Sequence, residues 1–197
     1  VHSNLDDGIE WFGGTVDVRY AVLTSNDDDD LDYDEGYMGN IQYVIIEKNP
    51  DADQPQGSND PRGIEANSSD QDYTPQTEAV IANVTIIGSA VNNNEGSQEG
   101  AQPGMRLRGA VQTSIYNSSV DNFDKGCVRI DDADVNGDGS VIVESQITLI
   151  NMLGDCEDGF YEPGRRPANV QENIQEVTLT YSSTLAIQES EAQLDSA

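Results

Sequence analysis

The apolar residues of this chain fall on a short pattern that recurs along its length. The clearest copy is Ile81-Ala82-Asn83-Val84-Thr85-Ile86-Ile87-Gly88, apolar at the first, fourth and sixth positions and polar or aromatic at the third. That spacing is not helical. In register, the copies read Val18, Ala21, Leu23; Ile41, Val44, Ile46; Ile81, Val84, Ile86; Ile115, Ser118, Val120; Glu144, Ile147, Leu149; and Ile174, Val177, Leu179, the fifth being imperfect. A shorter motif leads the copies, a Gly or Asp followed by an apolar residue and a charge: Gly8-Ile9-Glu10, Asp30-Leu31-Asp32, Gly63-Ile64-Glu65, Gly104-Met105-Arg106 and, more loosely, Gly126-Cys127-Val128-Arg129. Units of roughly 20 to 50 residues, each too small to bury its own apolar face, signify stacked coils with a continuous core. The pattern predicts an all-β chain, a right-handed parallel β-helix of about six coils with long polar loop insertions.

Residues 1–182 are expected to form this solenoid and 183–197 a polar C-terminal tail or end cap. Val1-His2-Ser3-Asn4 reads as the end of a strand, so the chain is expected to be part of a longer precursor. All seven prolines fall outside the apolar copies, as they must where strands are paired on both sides. Polar insertions fill 48–78 and 92–103, and such loops on a rigid scaffold are common places for binding.

Charge narrows the function. Thirty-seven acidic residues against nine basic ones give a net charge of -28. Nucleic acid and anionic lipid surfaces are repelled by such a field, because both are bound through Lys and Arg. Cations, basic partners or bulk salt are attracted. No apolar run of about 18 residues is present, so no transmembrane segment is expected.

Two acidic stretches are candidate calcium sites. Asp30-Leu31-Asp32-Tyr33-Asp34 alternates like a strand, which would send Asp30, Asp32 and Asp34 to one face as hard oxygen ligands. Asp132-Ala133-Asp134-Val135-Asn136-Gly137-Asp138 matches the spacing of an EF-hand-type loop, with Asp132, Asp134, Asn136 and Asp138 as ligands. Glu144 comes one residue late for that motif and strand pattern follows it. For each stretch the alternative is a solvated acidic turn. Glu10, Asp32, Glu65 and Arg106 should form one column along a sheet, either a ladder of surface ion pairs or a substrate groove. Trp11 is expected to pack at one end of the core, with Gly13 and Gly14 making a corner after it. Cys127 and Cys156, in neighbouring coils, read as one disulfide in an oxidising compartment, the alternative being two reduced core residues.

The stretches 6–22, Arg62-Gly63-Ile64-Glu65-Ala66-Asn67 and 81–88 resemble right-handed parallel β-helix proteins exported by Gram-negative, often marine, bacteria. The resemblance implies a solenoid and an extracellular or cell-surface location, and little about activity, since those proteins are mostly of unassigned function. Three roles follow. One is a non-enzymatic surface module, stabilised by calcium, that contacts a glycan or another surface protein. A second is a calcium-dependent polysaccharide lyase, which would draw on Glu65, Arg106 and Arg108 beside the acidic residues. A third is a subunit that self-associates end to end into a filament. Against a carbohydrate-active enzyme stand the lone His2 at the terminus and a field opposed to polyuronates.

Overall fold

The computed structural model of the chain describes residues 1–48, 61–68, 74–89, 102–131, 145–165 and 170–178. Strands β1 (Ile9–Phe12), β3 (Leu31–Asp34), β5 (Ile64–Ala66), β7 (Met105–Leu107) and β9 (Val128–Ile130) pair in that order into a short sheet. Strands β2 (Val18–Thr24), β4 (Asn40–Glu47), β6 (Val80–Ile87), β8 (Gln112–Asp121), β10 (Gln146–Asp155) and β11 (Gln171–Glu176) form a longer one. Strands alternate between the two sheets along the chain and every pairing is parallel, so each turn of chain lies on the one before it: a parallel β-helix.

The spacing of first, fourth and sixth positions has a backbone cause. Extended residues alternate faces with a period of two. The third residue of each copy breaks the alternation: Tyr20, Tyr43, Asn83, Asn117 and Asn151 have φ of 60, 59, 57, 50 and 56°. One left-handed residue resets the phase, so the first and fourth side chains both point inward. Val18, Ile41, Ile81, Ile115 and Leu149 accordingly stack in one column. Leu23, Ile46, Ile86 and Val120 form another. Across the interior the short sheet supplies Leu31, Ile64, Met105 and Val128, all buried. Trp11 closes the first coil, its ring 4.9 Å from that of Tyr37. The corner behind it is made by Gly13 and Gly14, at φ of 81 and 89°.

Two expectations need correction. In the fifth coil the first and fourth places are held by Leu149 and Met152, paired with Ile115 and Ser118, while Ile147, also buried, precedes the copy instead of holding its fourth place. The sixth place there is Gly154, where an added Cβ would lie 2.4 Å from the Phe160 ring. Phe160 fills the space that an aliphatic side chain fills in earlier coils. In the last strand Ile174 lies opposite Met152, hence in the fourth place and not the first. Val177 follows the strand.

Cys127 and Cys156 are joined by a disulfide, with Cα atoms 5.4 Å apart. The described prolines Pro61, Pro75, Pro103 and Pro163 lie outside strands. Asp132, Asp134, Asn136, Asp138 and Glu144 lie outside the described residues, as do 183–197 and most of the polar insertions. Among the described residues no helix is long and apolar enough to cross a membrane.

Candidate functional site on the outer face of the short sheet

Inward residues of the short sheet alternate with outward ones, and register aligns Glu10, Asp32, Glu65, Arg106 and Arg129 in a single outward column. The expected column is therefore present and gains Arg129. Its charge changes sign along the stack, acidic over the first three coils and basic over the last two.

In the basic half each cation is engaged. Glu65 Oε1 lies 3.3 Å from Arg62 Nη1, 3.7 Å from Arg106 Nη1 and 3.1 Å from Arg108 Nε. Asp131 takes Arg106 Nε at 3.1 Å, Arg129 Nε at 2.8 Å and Arg165 Nη1 at 3.1 Å. Burial acts to raise the Asp131 carboxyl, but its bonds to Arg129 and Arg106 outweigh this and hold it below the ordinary range.

In the first two coils carboxylates crowd one another instead. Stacking Ile9 on Leu31 also brings the residues before them together, so that the lead Asp6-Asp7 meets Asp28-Asp29. Carboxylate oxygens of Asp7, Asp29 and Asp32 lie within 4.8 Å of one another, and so do those of Asp6, Asp7 and Asp28. Asp7 belongs to both groups and accepts the Asp29 N–H at 3.0 Å. Asp29 is buried, accepts the Arg62 N–H at 3.1 Å and faces Arg62 Nη1 at 3.4 Å. Desolvation, then repulsion from Glu65, Asp7 and Glu10, pushes Asp32 up to about 8. Desolvation and Asp28 push Asp7 up to about 7.

Of the three residues read from the sequence as one face, the structure keeps two. Asp32 and Asp34 point outward, flanked by buried Leu31 and Tyr33. Asp30 precedes the strand and is fully buried, its carboxylate bonded to Lys48 Nζ at 2.8 Å and to Asn26 Nδ2 at 2.7 Å. The chain enters the strand only after it, so the alternation does not extend back to that residue. Asp34 accepts the Asn67 amide at 3.3 Å and stands apart from the tightest carboxylate groups. Sequence reasoning missed Asp7 and Asp29. The signal was the repeated lead itself, since aligning Gly8 with Asp30 superposes Asp7 on Asp29.

The raised carboxyls set the pH response without divalent cations. Folded protein holds protons on Asp7 and Asp32 that the unfolded chain, with carboxyls near 3.8, has released. Their contribution is full below about 4 and is lost as pH rises through about 7 to 8. In chelator, stability should fall from pH 5.5 to 8.5, by on the order of 2 kcal/mol for the pair after discounting for solvent screening. Asp32→Asn should flatten that slope in thermal melts. A wild-type slope no steeper than the variant's would contradict it.

Two sheets of parallel strands that alternate along the chain, the short one carrying clustered carboxylates beside a row of arginines, define a parallel β-helix protein. The chain matches the family model described as pectate-lyase-like beta helix domain over residues 1–192, and it belongs to that family. No curated protein and no solved structure matches it.

Proposed function

We propose that this chain is an exported, non-enzymatic β-helix module of the cell surface or extracellular space, stabilised by calcium and serving a structural or binding role. The observation that carries the reading is the division of the short sheet's face. Asp7, Asp29 and Asp32 offer converging oxygens to a hard cation, whereas the arginines a lyase would use as base are bound to Glu65 or Asp131. Calcium takes six to eight oxygens and would relieve the repulsion that raises Asp32. Asp132, Asp134, Asn136 and Asp138 supply a second candidate calcium loop on sequence grounds. Export is supported by the disulfide, since such bonds persist in oxidising compartments.

Calcium should raise the melting temperature at pH 7.5 relative to chelator, by the equivalent of about 2.7 kcal/mol at a hundredfold excess over Kd. Asp32→Asn should remove most of that gain if the short sheet holds the ion, and Asp134→Asn if the loop does. An unchanged melting temperature in wild type would refute calcium stabilisation. The lyase reading is favoured by Glu65, which neighbours Asp32 in the column and lies against Arg106 and Arg108, and by the family description. Calcium-dependent release of unsaturated uronate from polygalacturonate, followed by ultraviolet absorbance and abolished in Arg108→Ala, would establish it over the non-enzymatic role.

A further inference from the structure

The third position of the copies is occupied by Asn83, Asn117 and Asn151 in three coils and by Tyr20 and Tyr43 in the first two. All five have positive φ. Asn adopts that conformation readily because its short polar side chain bonds locally, whereas a bulky aromatic residue there is strained. Two of these asparagines also link coils, Asn151 Nδ2 donating to Asn117 Oδ1 at 3.1 Å and Asn173 Nδ2 to Asn151 Oδ1 at 3.3 Å. The tyrosines forgo this ladder. Their rings stack with centroids 5.2 Å apart and planes 5° apart, yet remain 78% and 42% exposed. Core burial therefore does not account for two aromatic residues in a conformation that suits Asn, and strain of this kind points to a use.

Beside the rings is an open cavity of 300 Å³, lined by Tyr20, Tyr43, Val22, Ile45, Asn83 and Thr85. That volume is at the lower end of small-molecule sites. No ionisable acid or base other than the two phenols lines it, in a chain of net charge -28. It lies on the outer face of the long sheet, away from the carboxylates of the short one.

We propose that this groove binds an uncharged polysaccharide. A pyranose presents apolar C–H faces and hydroxyl edges. The exposed face of Tyr20 and the aliphatic Val22 and Ile45 match the former, and the two phenol hydroxyls with the Asn83 amide match the latter. Charge selects among glycans: the field of the chain repels a polyanion, and a polycation would be drawn to the acidic short sheet, leaving a neutral chain for a neutral groove. The site gives the proposed binding role a partner class and does not depend on calcium.

Affinity electrophoresis in chelator, through gels holding xylan, mixed-linkage β-glucan, galactomannan or agarose, with polygalacturonate as the anionic control, tests it. At least one neutral polymer should retard the protein and polygalacturonate should not. The variant Tyr20→Asn/Tyr43→Asn restores the residue that the other coils use, so it should melt no lower than wild type while its affinity falls at least about tenfold. Retardation by no neutral polymer, retardation by polygalacturonate alone, or equal retardation of wild type and variant would overturn the proposal. A marked fall in the variant's melting temperature would do so too, by showing that the tyrosines serve the fold. Loss of the calcium response with retardation intact would sink the calcium reading alone.

Discussion

Replacing Lys48 by Met should destabilise the protein by about 3 to 5 kcal/mol, among the largest effects available to a single substitution here. Lys48 is buried with its ammonium bonded to Asp30 Oδ2 at 2.8 Å, to the Asp28 carbonyl at 2.6 Å and to the Asn26 carbonyl at 3.2 Å. Removing it strands the Asp30 carboxylate in the interior, where burial already pushes that carboxyl above its ordinary value. The positions equivalent to Asp30 in neighbouring coils are Gly8, Gly63 and Gly104, so the stack has no intrinsic need of an acid there. Lys48→Met/Asp30→Gly should therefore recover about half of the loss or more, because taking away both members of a buried pair costs far less than taking one. Urea denaturation of the two variants decides the matter. A single variant within about 1 kcal/mol of wild type, or a double variant weaker than the single, would show that the pair does not have this role.

Reducing the disulfide should cost about 3 to 4 kcal/mol on the chain-entropy account, for a loop closed over 29 residues. Cys127 is fully buried and Cys156 partly so, packed against the core. Cys127→Ala/Cys156→Ala should melt lower than wild type without reductant and should no longer respond to it. Equal melting temperatures for oxidised and reduced wild type would remove the bond's stabilising role. Peptide mapping of the non-reduced protein should recover one linked pair.

Much of the architecture was legible because two motifs repeat out of phase with each other. The lead motif alone aligns Glu10, Asp32, Glu65 and Arg106, and the longer motif alone aligns Ile41, Ile81 and Ile115. What failed did so for local reasons. Around Asn151 the run Ile147-Thr148-Leu149-Ile150-Asn151-Met152 offers two apolar frames, and only the left-handed residue at Asn151 selects between them. Gly154 erased the last apolar mark of that copy to admit Phe160, which comes from a following loop. Strand β11, Gln171–Glu176, carries a single apolar residue and so almost no period.

The site was half legible. Asp32 belongs to it, and Asp30 looked equivalent by alternation alone. Distinguishing them needed Lys48, a residue 18 positions away that arrives only when the second coil closes. Asp7 and Asp29 belong to different coils and become neighbours only through stacking. The tyrosines at the third position were visible as aromatic exceptions, while their exposure and the groove beside them were not.

The link between Cys127 and Cys156 also has a mechanical meaning. A solenoid pulled along its chain yields coil by coil, since each coil is held only by its neighbours. The segment between the two cysteines cannot lengthen while they are joined: at its extended limit, roughly 100 Å of contour stays locked in the closed loop. Tension can peel strand β11 and still leave that reserve untouched. The reach of this chain under load is therefore set by the redox state of the surrounding medium as well as by force, with reduction releasing in one step what pulling alone does not.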